Sequence, residues 1–123
     1  MARVLVVDDE PRVVGVLKRY LERIGHEVAT AANGHEALAA VEQGTIDVML
    51  TDINMPDMNG IEVLNHLRQK GLSVAVIAMS GGGLLSKEML LATAGALGAV
   101  ATLTKPFDLE ELKTTIEDVL RAT

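Results

Sequence analysis

The side chains best suited to chemistry in this sequence each stand directly after a short apolar run. Asp8 and Asp9 follow the first run, Asp52 the third, Ser80 the fourth and Lys105 comes just after the fifth. Carboxylates gathered at one place repel one another unless a cation lies between them. Oxygen ligands without histidine or cysteine favour Mg²⁺, which binds carboxylates, water and phosphate oxygens. The lysine and the hydroxyl would add the positive charge and the donor that hold a tetrahedral dianion.

The elements that must position these side chains are short strands, rich in Val, Leu and Ile as strands buried on both faces are. They are predicted at residues 4–7, 27–31, 48–51, 74–79 and 99–103. Between them, apolar residues recur at the spacing of amphipathic helices. The helices are predicted from Pro11 to Gly25, from Gly34 to near Gly44, from an Asn59 cap to Gly71, from about 86 to 94, and onward from an Asp108 cap.

Five strands that alternate with five helices predict an α/β fold, a doubly wound parallel sheet with helices on both faces. The carboxyl ends of its strands share one edge, which is where such folds bind ligands. Residues 9, 52, 80 and 105 are therefore expected to converge. With 123 residues, no repeat and no linker, the chain is expected to form one domain over residues 1–123, with no output domain.

Composition narrows the function classes. A net charge of −6 argues against a nucleic-acid binder, which would carry a basic face. The apolar runs are too short to span a bilayer, the start is not a signal peptide, and cysteine is absent, so we expect a cytoplasmic protein. Only Tyr20 and Phe107 are aromatic, which predicts an aliphatic core. The histidines lack metal-ligand spacing and are expected at the surface; they are His26, His35 and His66.

The motifs together resemble the receiver domains of two-component response regulators, and single-domain chemotaxis-type regulators in particular. The resemblance covers about residues 3–121 and is specific because the motifs occur in this order on these strands. They are the acidic pair Asp8-Asp9, the segment Asp52-Ile-Asn-Met-Pro-Asp-Met-Asn-Gly60, the hydroxyl of Ser80, and Lys105-Pro106-Phe107. The resemblance implies the flavodoxin-like strand order 2-1-3-4-5.

What the resemblance implies for chemistry centres on Asp52 as the phosphoacceptor. Its carboxylate would attack the phosphohistidine of a histidine kinase or histidine phosphotransfer protein and become an acyl phosphate. Asp9 matches a direct Mg²⁺ ligand, Asp8 a carboxylate that acts through metal-bound water, and the Asn54 carbonyl a further ligand. Mn²⁺ could replace Mg²⁺. Such a domain catalyses its own phosphorylation and dephosphorylation without being a conventional enzyme.

Other roles are implied around the acceptor. Lys105 would pair with one phosphoryl oxygen, and Ser80 would donate a hydrogen bond to another, which draws the loop after strand 4 inward. Pro56 would shape the loop beside the acceptor. The peptide bond between Lys105 and Pro106 is expected to be cis.

The sequence departs from the family pattern where the signal would leave the domain. Thr102 stands where the family commonly has a Tyr or Phe that swings inward on activation. Gly81, followed by Gly82 and Gly83, stands where a small residue such as Ala is usual, which predicts a mobile connection to helix 4. Helix 4 is apolar on more than one side, so it either offers a contact face or forms loosely; these residues are Leu84, Leu85, Met89, Leu90 and Leu91.

The leading hypothesis is a phosphorylation-dependent receiver that signals to a downstream protein through helix 4, strand 5 and helix 5, as a monomer or weak dimer. Two alternatives keep the fold: a phosphate-independent pseudo-receiver, and a receiver excised from a longer regulator. A flavin carrier would need more aromatic residues. A haloacid-dehalogenase-type phosphatase would place an Asp-x-Asp motif after the first strand, whereas Asp8 and Asp9 are adjacent here.

Overall fold

A computed structural model describes residues 2–55, 58–81 and 87–122, and these residues alternate strictly between strands and helices. The strands are β1 (Arg3–Val7), β2 (Glu27–Ala31), β3 (Val48–Asp52), β4 (Ala75–Ser80) and β5 (Ala101–Thr104). The helices are α1 (Pro11–Arg23), α2 (Gly34–Glu42), α3 (Gly60–Lys70), α4 (Lys87–Ala96) and α5 (Leu109–Arg121).

The strands form one parallel sheet in the order β2-β1-β3-β4-β5, so the predicted fold class and strand order are both confirmed. The predicted bounds were wrong at the carboxyl edge. Asp52 and Ser80 are the last residues of β3 and β4, because the sheet ladder pairs Asp52 with Met79 and Ser80 with Thr104. The fifth strand begins at Ala101 and not at residue 99, since its pairing with β4 starts there.

Two aliphatic cores sandwich the sheet, one on each face. Leu5 and Met49 point toward α2 and α3, whereas Val4 and Leu50 point toward α1 and α5. Ala94 of α4 joins the first core. This division is the one expected of right-handed crossovers between parallel strands. Connections that lead toward one edge of the sheet place their helices on one face, and connections that lead toward the other edge place theirs on the opposite face. The prediction of an aliphatic core is confirmed.

Helix caps fix where the loops at the site end. The Asn59 side chain accepts the N–H of Glu62, and the Glu62 carboxylate accepts the N–H of Asn59, which is a capping box. Asp108 caps α5 through the N–H of Glu111. Both predicted caps are confirmed.

The histidines are less exposed than the sequence predicts. Only His35 is fully exposed, whereas His26 and His66 are half-buried. The Nδ1 atom of His26 accepts the N–H of Ala2 at 3.2 Å, because the start of β1 runs beside the turn that leads into β2. No helix within the described ranges is long and apolar enough to cross a membrane.

Candidate functional site

Four strands deliver the predicted site residues to one edge of the sheet. Asp8 follows β1, Asp52 ends β3, Ser80 ends β4 and Lys105 follows β5. β1 and β3 are hydrogen-bonded neighbours, as are β3 with β4 and β4 with β5. Parallel pairing therefore brings together side chains that lie up to 97 residues apart, and their predicted convergence is confirmed.

Three carboxylates form the centre of this edge. One oxygen from each of Asp8, Asp9 and Asp52 lies within 4.8 Å of the others. Asp8 is 1% exposed and Asp52 6%, whereas Asp9 is open to solvent. Hard oxygen donors at this spacing, one of them accessible, suit an oxygen-seeking divalent cation such as Mg²⁺.

Lys105 bridges the two buried carboxylates. Its Nζ lies 3.0 Å from Asp8 Oδ2 and 3.1 Å from Asp52 Oδ2. The other oxygens accept backbone N–H groups, Asp8 Oδ1 from Glu10 at 3.0 Å and Asp52 Oδ1 from Asn54 at 3.1 Å. The repulsion that the sequence predicts is thus offset by the protein's own ammonium group, and charge-assisted hydrogen bonds hold both carboxylates in place.

The two central groups have shifted protonation equilibria. Burial raises the pKa of Asp52 above its ordinary value, and the nearby Asp8 adds to this, so that together they outweigh the opposing effects of Lys105 and the Asn54 N–H. Burial lowers the pKa of Lys105, but the hydrogen bonds and charges of Asp8 and Asp52 outweigh it, so that this pKa is raised. Lys105 therefore keeps its positive charge beside a carboxylate that burial disfavours.

Ser80 carries a polar atom that has no partner among the described residues. Its side chain is fully buried, and its Oγ makes no hydrogen bond within the described residues. A buried hydroxyl without a partner costs about 1–3 kcal/mol. It lies at the end of the strand next to Asp52, so it suits a group that brings acceptor oxygens to that carboxylate.

The loop after β3 folds back against Asp52, and a glycine makes this possible. The Gly60 N–H donates to the Ile53 carbonyl at 2.9 Å, and a Cβ on Gly60 would lie 2.7 Å from the Asp52 carbonyl oxygen. Gly60 ends the motif segment that begins at Asp52, but no role was predicted for it. The sequence feature that could have indicated this role is the position of Gly60 directly after the Asn59 cap. The first residue of a helix at such a position lies close to the end of the preceding strand. Pro56 lies outside the described residues.

The remaining predicted positions lie around this centre. The peptide bond between Lys105 and Pro106 is cis, as the resemblance implies. Thr102 is exposed within β5. Gly81 follows Ser80 and lies against the side chain of Lys105. The side chain of Asn54 is exposed, while its N–H is bound to Asp52.

A cleft of about 760 Å³ runs from the carboxylates along α1, and the sequence reasoning missed it. Asp9, Asp52 and Lys105 line one end, and Arg12, Val16 and Phe107 line the rest. Val16 is 55% exposed, an unusual position for a valine. The signal was an outward stripe at helical spacing, because residues 12, 16, 19 and 23 are Arg, Val, Arg and Arg.

The family comparisons agree with this geometry. The model of the response regulator receiver domain matches residues 4–117. The transcriptional regulatory protein TcrA of Mycobacterium tuberculosis is 38% identical over 110 residues, which are 89% of this chain and 42% of that protein. The alkaline phosphatase synthesis transcriptional regulatory protein PhoP of Bacillus subtilis is 35% identical over 119 residues, 97% of this chain and 48% of its own length. The chain thus spans less than half the length of these two relatives.

A solved structure matches across the whole sheet. Response regulator protein TrrA from Thermotoga maritima, solved in complex with Mg²⁺–BeF, has a TM-score of 0.83 and 33% identity. The match covers 97% of this chain and 99% of that one. Because the family match extends over all five strands and includes Asp8, Asp9, Asp52, Ser80 and Lys105, the chain belongs to the response regulator receiver domain family.

Proposed function

We propose that this receiver accepts a phosphoryl group on the Asp52 carboxylate, from the phosphohistidine of a histidine kinase or histidine phosphotransfer protein. The observation that carries the proposal is the set of charges at one edge: three carboxylates within 4.8 Å, with Lys105 bound to two of them. A hydroxyl without a partner, Ser80 Oγ, lies at the same edge.

The proposed metal site uses the carboxylates of Asp9 and Asp52 and the carbonyl of Asn54, with Asp8 acting through a bound water. The exposed Asp9 gives the ion access to the two buried carboxylates. Bound Mg²⁺, or Mn²⁺ in its place, would supply positive charge that offsets repulsion between the carboxylate and an anionic donor. The Mg²⁺–BeF complex of the related TrrA supports this assignment.

The transfer step is a displacement at phosphorus. An oxygen of Asp52 forms a bond to phosphorus while the bond from phosphorus to the donor imidazole nitrogen breaks. The imidazole keeps the electron pair of that bond and leaves neutral because its other ring nitrogen carries a proton, and Asp52 becomes an acyl phosphate.

Lys105 and Ser80 would then hold the new group. The Lys105 ammonium reaches Asp52 already at 3.1 Å, so a small rotation brings it to a phosphoryl oxygen. Ser80 Oγ would donate its hydrogen to another oxygen. Since Ser80 ends β4, this bond would draw the chain after it toward Asp52 and bias the surface formed by α4, β5 and α5.

The proposed output differs from the common family pattern at β5. Thr102 is exposed and has no ring to turn inward. Met89 of α4 is 59% exposed, which fits a contact face for a downstream protein or a second copy. Leu84 and Leu85 lie outside the described residues, as do the side chains of Leu90 and Leu91, so that the predicted apolar face of α4 stays a prediction.

We also assign the cleft along α1 to the phosphodonor. It opens directly from Asp9 and Asp52, so a histidine inserted there meets the acceptor. The helix carries four basic residues and one acidic residue in a chain of net charge −6. Arg12 lines this cleft, and Arg19 and Arg23 line a smaller pocket beside it. Within the described ranges, the side chains of these three arginines make no hydrogen bond or ion pair, and this indicates a donor with an acidic surface.

Because the chain belongs to the receiver domain family, the flavin carrier and the dehalogenase-type phosphatase are excluded as interpretations. One receiver domain over residues 1–123, acting in the cytoplasm, remains the proposal for the whole chain. TcrA and PhoP are more than twice as long as this chain, so a receiver excised from a longer regulator remains the alternative.

The decisive experiment is phosphorylation followed by intact mass. Incubation with Mg²⁺ and either acetyl phosphate or a phosphorylated histidine kinase is expected to give a single phosphoryl adduct. Asp52→Asn should abolish it, and Asp9→Asn should reduce it strongly. Asp118→Asn, which removes an exposed carboxylate of α5, should leave it unchanged. No adduct with any donor would refute the proposal and favour the pseudo-receiver.

A further inference from the structure

Gly81 has no room for a side chain, and the reason is Lys105. A Cβ atom on Gly81 would lie 2.8 Å from the Cβ and 3.1 Å from the Cδ of Lys105. Carbon atoms in favourable contact are about 3.5–4.0 Å apart. The stem of Lys105 therefore occupies the space that a side chain at position 81 would fill.

This contact cannot be relieved by rotating the lysine. Its nearest atom is the Lys105 Cβ, whose position is set by the backbone and not by the side-chain torsions. That backbone is bound to the residue before Gly81, because the Lys105 N–H donates to the Ser80 carbonyl at 2.8 Å. The ladder pair Ser80 and Thr104 holds the same two segments together. A side chain at position 81 would have to force β4 and β5 apart at their ends.

The far end of the same stem binds two of the three carboxylates of the candidate metal site. The Lys105 Nζ binds Asp8 Oδ2 and Asp52 Oδ2, and both carboxylates belong to the cluster that suits a divalent cation. Two cations that bind the same carboxylates repel each other and compete for their negative charge. The position of the Lys105 ammonium therefore sets how readily a metal ion can bind.

We propose that Gly81 is a positioning residue that acts through Lys105. By carrying no side chain, it lets the lysine stem lie flat against the end of β4, which places the ammonium between Asp8 and Asp52 as a competitor of the divalent cation. Gly81 thereby sets the Mg²⁺ affinity of the resting domain. The inference rests on the metal site of the proposed function but not on phosphoryl transfer.

The test is the Kd for Mg²⁺ measured by calorimetric titration of the full chain at constant pH. Gly81→Ala should pull the ammonium from its carboxylates and lower the Kd about tenfold, the scale of one charge-assisted hydrogen bond. Lys105→Met keeps the stem but removes the charge, and it should lower the Kd at least as much. Gly81→Ala added to Lys105→Met should cause no further change.

Gly15→Ala is the matched control, because nothing lies within 4 Å of a Cβ there. It should leave the Kd unchanged. The NMR signal of the Asn54 N–H, which binds Asp52, should shift in Gly81→Ala without metal and not in Gly15→Ala. A folded Gly81→Ala protein with wild-type Kd would overturn the inference, as would a tenfold change that persists in Lys105→Met.

A second measurement covers a Gly81→Ala protein too unstable to titrate. Lys105→Gly removes the carbon that clashes, so Gly81→Ala should cost much less unfolding free energy in that background than in the wild type. Equal costs in both backgrounds would contradict the steric argument. If neither the wild type nor Lys105→Met binds Mg²⁺, the metal site of the proposed function is wrong, a result distinct from failure of the Gly81 inference.

Discussion

Removing the charge of the phosphoacceptor should stabilise the metal-free protein. Asp52 is 6% exposed, and burial is the largest cause of its raised pKa. Asn at this position keeps an oxygen that can accept the Asn54 N–H but carries no charge to desolvate. Lys105 loses one of its two carboxylate partners but keeps Asp8 at 3.0 Å, so that it is not left buried and unpaired.

The expected magnitude follows from the balance of these terms. Burial and the like charge of Asp8 together exceed the attraction to Lys105, since the pKa of Asp52 is raised and not lowered. We expect Asp52→Asn to add about 1–2 kcal/mol to the free energy of unfolding at pH 7, within the usual range for single substitutions. That corresponds to a rise of about 3–8 °C in Tm for a domain of this size.

The pH dependence of stability predicts the direction of this stability change independently. A carboxyl group with a raised pKa in the folded state stabilises the protein when protonated, and this stabilisation is lost as the pH rises through the folded-state pKa. The advantage of Asp52→Asn should therefore be greatest at neutral pH, shrink as the pH falls through the raised folded-state pKa of Asp52, and be gone below the ordinary Asp value of 3.8.

Urea unfolding followed by far-ultraviolet circular dichroism, in EDTA from pH 7 downward, measures this directly. Asp118→Asn, on the exposed face of α5, serves as the control and should change stability little. Saturating Mg²⁺ should reverse the order, because ligand binding stabilises the wild type more than the variant. A variant less stable than the wild type at pH 7 in EDTA would refute the reasoning.

Four further results are expected. Asp9→Asn should raise the Kd for Mg²⁺ about tenfold in a calorimetric titration while leaving the unfolding free energy nearly unchanged, since Asp9 is exposed; a large loss of stability would contradict this. Ser80→Ala should stabilise the metal-free protein by about 1 kcal/mol in urea unfolding, because it removes a buried hydroxyl without a partner, and destabilisation would show that the hydroxyl is paired. Arg19 lines a smaller pocket that shares Val16 with the donor cleft; Arg19→Glu should slow phosphorylation by a histidine kinase about tenfold but not by acetyl phosphate, and equal slowing of both rates would count against binding of the donor along α1. Asn59→Ala should lower the unfolding free energy by about 1–2 kcal/mol through loss of the capping box, and an unchanged value would mean that the cap contributes nothing.

Much of the fold was predictable because the order of apolar and polar residues within each segment indicates which side chains are buried. The run Val4 to Val7 is fully buried in β1, as a continuous apolar run indicates. The ends of strands were harder to predict. Asp52 and Ser80 are polar and were assigned to loops, yet their pairing with β4 and β5 continues the sheet through them. Strand ends depend on the partner strand, which a single run of residues does not contain.

The site residues were predictable as a set, but their contacts were not. Lys105 was expected to wait for a phosphoryl oxygen, whereas it bridges Asp8 and Asp52 in the protein by itself. The outward stripe on α1 was not predicted to form a site. The spacing of the apolar residues in this helix indicates only the face that packs on the sheet. Val16 shows the difference, since it is apolar and 55% exposed beside the cleft.

The residue types at the carboxyl edge, and the alternation of elements that brings them there, could be read from the amino-acid order alone. Both are local properties, because hydrophobic periodicity reports which side of each element is buried. Two further facts become visible only in the assembled sheet: Ser80 is buried with no partner among the described residues, and the stem of Lys105 fills the space beside Gly81. These facts depend on strand register and on close packing between segments distant in sequence, where differences of less than 1 Å determine which atoms are in contact.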